Sequence, residues 1–171
     1  MQKIAKFSKV SYHQFEADWK DSFPESTSVQ IQNIYDEIKL PRRATTGSAG
    51  YDFFTPVQFI LPPKQSIKIP TGIRVNIQEG WVLTIHPRSS LGFKYRLQID
   101  NTTGIIDSDY YHSDNQGHMF VKLTNDSNQG KSVQLLQGEA MVQGIFLPFG
   151  IVEDDDVSDV RNGGFGSTNK P

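Results

Sequence analysis

The 171-residue chain has no cysteine. That excludes disulfides, cysteine-based zinc sites and thiol nucleophiles. No apolar run is long enough to span a bilayer. The opening residues, Met1-Gln2-Lys3-Ile4-Ala5-Lys6-Phe7, lack the apolar core of a signal peptide, so the expected location is cytoplasmic. Charge of one sign is also missing: 17 Lys plus Arg stand against 19 Asp plus Glu. Nothing in that balance suggests a basic surface for nucleic acid, and neither nucleic acid nor a membrane is an expected partner. The four histidines, His13, His86, His112 and His118, are scattered with no zinc-type spacing; each reads as a surface or structural residue. There is no internal repeat. At this length one domain is expected, divided into an N-terminal extension (1–39), a β body (40–152) and a linker with a C-terminal lid (153–171).

What is present is mostly strand signal. Tyr12 to Lys20 sets Tyr12, Phe15, Ala17 and Trp19 among polar residues after Ser11; this predicts a short amphipathic helix with Ser11 as N-cap. Ser22 to Gln30 reads as a loop. From Ile31 onward come short β-branched and aromatic runs bounded by Pro and Gly, starting with Ile31-Ile34-Tyr35. The runs continue at 59–61, 66–69, 72–77, 81–85, 119–123, 132–136 and 140–146, with turns at Pro62-Pro63 and Glu79-Gly80. Many short strands at close spacing predict an all-β sandwich or barrel. Glu153 to Asp156 is an acidic run, read as a solvated linker.

Four segments carry chemistry. Ala49-Gly50-Tyr51-Asp52-Phe53 is either a strand entry with a turn aspartate or a place where Asp52 faces a hydrated cation. Pro87-Arg88-Ser89-Ser90-Leu91-Gly92 puts a guanidinium and two hydroxyls together after an apolar strand, a donor set that suits phosphate but also an ordinary turn. Asp100 to Tyr110 holds three carboxylates around Ile105-Ile106. Asp107, directly after that pair, has the setting of a general base; a turn flanked by surface aspartates is the alternative. Last is the tail, Arg161-Asn162-Gly163-Gly164-Phe165-Gly166-Ser167-Thr168-Asn169-Lys170-Pro171. Its glycines permit close backbone approach, Arg161 forks onto phosphate oxygens, Ser167 and Thr168 add donors, and Phe165 can stack on a base. A free Gly/Ser tail is the competing reading.

Taken in order, Ala49–Phe53, Pro87–Gly92, Gly104–Tyr110, Gly138–Ile145 and Arg161–Thr168 resemble the five motifs of the trimeric dUTPases, the dUTP nucleotidohydrolases. The resemblance runs from about Leu40 to Lys170. It implies a β jelly roll with a flexible C-terminal arm. It also implies a homotrimer whose active sites are each built from more than one subunit, and a Mg²⁺-assisted hydrolysis of dUTP to dUMP and pyrophosphate. Residue by residue, it implies that Asp107 activates the attacking water and that Tyr110 lies under the deoxyribose, leaving no room for a 2′-hydroxyl. Asn101 and Gly104 belong to the uracil-binding hairpin. Arg88, Ser89, Ser90 and Gln143 contact phosphate, with Ser89 near the α–β bridging oxygen. Asp52 reaches the metal only through water, so no direct metal ligand is expected. Arg161 meets the γ-phosphate, Phe165 stacks on uracil, and Gly166, Ser167 and Thr168 cover the phosphates.

The sequence departs from that pattern in places. Ala140 stands where the fourth motif usually has Arg. Only Asn162 separates Arg161 from Gly163-Gly164-Phe165. The turn after Tyr110 is expanded over Tyr111-His112-Ser113-Asp114-Asn115-Gln116-Gly117. This expansion, with the extension before Leu40, is similar to dUTPases of Gram-positive bacteria and their phages. Two other function classes stay in view: a nucleotide-dependent binder of a regulatory protein, for which 111–117 would be a surface, and the related dCTP deaminase, which has no need of the Arg/Phe tail.

Overall fold

A computed structural model describes residues 1–159 and Arg161. The central sheet has five strands in the order β2 (Arg42–Arg43), β3 (Tyr51–Phe54), β12 (Ala140–Pro148), β7 (Trp81–Pro87) and β9 (Gly104–Ile106). A second sheet orders β5 (Ser66–Pro70), β10 (Phe120–Asn125) and β8 (Leu97–Ile99). Two strand pairs complete the body: β1 (Ala5–Lys9) with β6 (Ile73–Ile77), and β4 (Phe59–Leu61) with β11 (Val133–Leu135). Every pairing among the described residues is antiparallel. The strands alternate as a half-buried sheet should: β10 buries Val121, Leu123 and Asn125 between more exposed neighbours. This is the all-β body anticipated from the runs of short strands and the jelly roll that the resemblance implies, with turns at Pro62-Pro63 and Glu79-Gly80 as expected. No helix among the described residues is long and apolar enough to cross a membrane.

The N-terminal 39 residues are built into this body. Helix α1 (Tyr12–Ser22) starts at Ser11, whose hydroxyl accepts the Gln14 amide at 3.2 Å. Phe15 and Trp19, four residues apart and so on one helix face, are fully buried. The Trp19 indole N–H donates to Ser26 Oγ at 3.1 Å, so its one polar group is satisfied inside the core.

Two expectations are corrected here. Residues 28–36 form helix α2 (Ser28–Asp36), where the sequence reading places a loop and then a β run. Thr27 and Gln30 make a reciprocal capping box: Thr27 Oγ1 accepts the Gln30 amide, and Gln30 Oε1 accepts the Thr27 amide at 2.8 Å. The box nucleates the turn, and Ile31, Ile34 and Tyr35 are strand-prone residue types at helical spacing. Strand β1 is absent from the sequence reading. Its Lys6 and Lys9 obscure the alternation, yet it pairs along β6 with Phe7 opposite Val75. There Phe7 packs edge-on to Phe53 at 5.6 Å and against Tyr51 and Phe146.

Trp19→Ala is expected to cost about 3–5 kcal/mol, the range for emptying a buried aromatic site, read as a shift of the urea midpoint. A loss below about 1 kcal/mol would mean that α1 is only loosely attached.

Candidate functional site

Strand β12 gathers three of the motif segments. Gln143 lies opposite Asp52 of β3 on one side and His86 of β7 on the other. Pro87 ends β7, so Arg88 and then α3 (Ser89–Tyr95) emerge beside Gln143. Arg88 Nε sits 3.0 Å from Asp52 Oδ1, and the Gln143 amide donates to the Pro87 carbonyl at 3.2 Å. Gly50 lets Gln143 lie close: a Cβ there would stand 2.8 Å from Gln143 Oε1 and would push that carboxamide aside. Together Gly50, Asp52, Arg88, Ser89, Ser90 and Gln143 line a recess of about 380 Å³. A guanidinium, two hydroxyls and a carboxamide converge on this recess beside the Asp52 carboxylate, and these are groups able to donate to an oxyanion. Ala140 begins β12 opposite Phe54, and Glu139 accepts the Leu136 amide at 2.7 Å, so the acidic residue of that segment closes its own turn.

The other motif residues meet in a second cavity of about 260 Å³. Its polar edge is the loop between β8 and β9. Thr102 adopts a left-handed φ of 61°, and the Asn101 carbonyl accepts both the Thr102 hydroxyl at 2.6 Å and the Thr103 amide at 2.7 Å. Asn101 and Gly104 line the cavity, and a Cβ on Gly104 would press to 3.0 Å of Ile85 Cβ. Tyr110 forms part of its wall and is only 6% exposed. The Tyr110 hydroxyl donates to the His118 carbonyl at 2.7 Å and accepts from Asn115 Nδ2 at 2.8 Å. Burial pushes this phenol above its ordinary pKa, partly offset by the Asn115 hydrogen bond, so it stays a donor.

Asp107 occupies the N-cap position of the 3₁₀ turn Ser108–His112, immediately after β9, with no side-chain capping hydrogen bond. Arg161 reaches back to it: Nη2 is 2.7 Å from Asp107 Oδ2, and Nε is 3.0 Å from Asp109 Oδ1. The second contact is charge attraction without hydrogen-bond alignment, since the Arg161 Nε–H has no acceptor in line. Arg161 thus lies against the two carboxylates and lines the second cavity. Phe165, Gly166, Ser167 and Thr168 lie outside the described residues.

The chain therefore brings its site residues together in two groups. Asn101, Gly104, Asp107, Tyr110 and Arg161 form one; Asp52, Arg88, Ser89, Ser90 and Gln143 form the other. Strand register separates them. Ile106 stands opposite Leu83, which puts Asp107 level with Val82. Arg88, just past the end of β7, is six residues farther along, or about 20 Å at the rise of a strand. Among the described residues no three His, Cys, Asp or Glu side chains are placed to hold a metal. The sequence reading missed the support beneath Tyr110: Asn115 and the backbone of His118. His118 is fully buried, a structural histidine as expected.

The dUTPase family model matches residues 36–169. The deoxyuridine 5′-triphosphate nucleotidohydrolase of Lactococcus lactis subsp. lactis (strain IL1403) is 40% identical over 134 residues, covering 77% of this chain and 88% of that protein. Among solved structures, the Streptococcus mutans dUTPase superposes with a TM-score of 0.63 at 29% identity, covering 86% of this chain and 98% of the other. A mutant dUTPase from phage phi11 of S. aureus, described with a structural Mg(II) ion, shares the fold with a TM-score of 0.62 at 20% identity, over 92% of this chain and 98% of the other. The motif order, the jelly roll and these matches agree, and the chain belongs to the dUTPase family.

Proposed function

We propose that this chain hydrolyses dUTP to dUMP and pyrophosphate at sites that copies of the chain build together. The observation that carries this reading is the separation of Asp107 from Arg88 by the length of β7. A base that activates water for attack on the α-phosphorus and a cradle for the oxygens of that same phosphate must lie within a few bonds of each other. At about 20 Å, one chain cannot supply both to one substrate. Two copies can, with the Tyr110 cavity of one facing the Arg88 cradle of another. The homotrimer of the family fits this need. Exposed apolar residues after the core of β12, Leu147, Phe149, Ile151 and Val152, offer surface for such an assembly.

In this reading the nucleoside enters the cavity edged by Asn101 and Gly104. Uracil meets main-chain groups of the β8–β9 loop, and the sugar rests on the Tyr110 ring. Asp107 takes a proton from water as that water's oxygen bonds to the α-phosphorus, and the α–β bridging oxygen leaves with pyrophosphate. Ser89, Ser90 and Gln143 donate to phosphate oxygens, and Arg88 opposes their charge while Asp52 holds its guanidinium in place. The residues fit a Mg²⁺ carried by the triphosphate better than one caged by protein. Mg²⁺ keeps several of its waters, and Asp52 at the edge of the cradle would hold those waters while the ion supplies charge neutralisation. Arg161 leaves the carboxylates when a γ-phosphate competes for it, which frees Asp107 as the tail, with Phe165, Gly166, Ser167 and Thr168, closes over the substrate.

Asp107→Asn keeps the side chain's shape and removes its basicity. Turnover is expected to fall by about two to four orders of magnitude, while calorimetry with a non-hydrolysable dUTP analogue still shows binding. Near-normal turnover would take Asp107 out of the mechanism.

Tyr110→Ala opens the space that a ribose 2′-hydroxyl needs. The ratio of kcat/KM for dUTP to that for UTP is expected to drop; an unchanged ratio would place sugar discrimination elsewhere.

A further inference from the structure

Beneath Tyr110 lies a layer of side chains that the proposed chemistry does not use. His118 is fully buried between Phe15 and Phe120, with ring centroids 6.1 and 4.7 Å away. Its Nε2 accepts the Gly72 amide at 2.8 Å. That nitrogen therefore carries no proton, and Nδ1 carries the ring's one N–H. Nδ1 in turn donates to Asp18 Oδ2 at 2.5 Å, and Asp18 is steadied by Gln14 Nε2 at 2.9 Å. The imidazole thus ties helix α1 to the turn between β5 and β6. The same residue's carbonyl receives the Tyr110 hydroxyl, and the next amide, Met119 N–H, is fixed on Ile73 O at 2.9 Å.

The expanded 111–117 turn closes the other side. Asn115 Nδ2 donates to the Tyr110 hydroxyl, while its Oδ1 accepts from Ser113 Oγ at 2.7 Å and from the Gly117 amide at 3.1 Å. Gln116 exchanges two hydrogen bonds with Ser11, both 2.9 Å, at the start of α1. The N-terminal helix and the expanded turn are therefore one bracket, and what it holds is the Tyr110 hydroxyl.

We propose that Asp18 and His118, with Asn115, are positioning residues that fix the Tyr110 ring and so set the discrimination between deoxyribose and ribose. The proposal rests on the reading of Tyr110 as the floor beneath the sugar. A ring rigid at its hydroxyl end cannot move aside for a 2′-hydroxyl. Removing the Asp18 acceptor leaves a buried His118 N–H without a partner, a state that proteins relieve by shifting the group or admitting water. Either response moves the carbonyl that anchors Tyr110.

The test compares Asp18→Ala, Asp18→Asn and Asn115→Ala, each alone and in a Tyr110→Phe background, by kcat and KM for dUTP and UTP, at a temperature well below each variant's Tm. Asp18→Ala is expected to lower the preference for dUTP about three- to tenfold, the worth of one hydrogen bond, mainly through KM. Asp18→Asn retains an acceptor oxygen and is expected to restore most of that preference, and Asn115→Ala to shift it in the same direction as Asp18→Ala. In the Tyr110→Phe background the hydroxyl anchor is gone, so Asp18→Ala is expected to cause no further loss. A lower Tm with an unchanged preference, or an equal loss with and without the hydroxyl, would overturn the proposal while leaving Tyr110 as the sugar floor. An unchanged preference in Tyr110→Ala would remove that floor, and the proposal with it.

Discussion

The structure depends first on the two-sided hydrogen-bond ladder of β12. Nine residues long, this strand is the register reference that β3 and β7 share. A slip of one residue would turn every side chain to the opposite face: Gln143 would leave the cradle, and Val142 would leave the core where it is now fully buried. Gly144 tightens the constraint, since a Cβ there would meet Leu83 and Phe53 side chains at 2.9 Å. The packing that stabilises the sheet is thus the packing that sets Asp52, Gln143 and Arg88 side by side. The same register, carried across β7 to β9, sends Asp107 to the far end of the sheet.

Around this frame the described residues beside the Tyr110 cavity are closely tied together. The N-terminal helix pair and the turn after Tyr110 lie outside the central sheet, yet each is tied into it by groups buried from water. Asp18 shows how these ties balance. Burial raises its carboxyl pKa, while hydrogen bonds from His118 and Gln14 lower it, and the balance leaves it below the ordinary carboxylate value. A carboxylate held ionised against a neutral, buried imidazole is a directional contact, suited to setting an angle as well as adding stability.

Much of this was legible in the sequence. The strand runs, the Ser11 cap and the helix it opens, and the ordered motifs all reported local chemistry, and local chemistry survives into the fold. The helix at 28–36 was missed because Ile31, Ile34 and Tyr35 are β-prone residue types at helical spacing, and their capping box lies upstream of the apolar pattern. Strand β1 was missed because Lys6 and Lys9 flank its one strong signal, Phe7. The support of Tyr110 was not legible. Asp18 and His118 lie 100 positions apart in sequence, and neither belongs to a motif. The resemblance implied sites shared between subunits, but which residues group together was not legible, because motif order records succession along the chain and says nothing of strand direction.

In the proposed assembly one copy's Asp107 works on a substrate held by another copy's Arg88. Refolding an equimolar mixture of Asp107→Asn and Arg88→Ala chains, each inactive alone, tests it most directly. In a cyclic trimer, every mixed assembly then regains one intact site, about a third of its complement, and dUTP hydrolysis should return to the mixture. Mixed trimers verified by native mass spectrometry that stay as inactive as either parent would contradict the account.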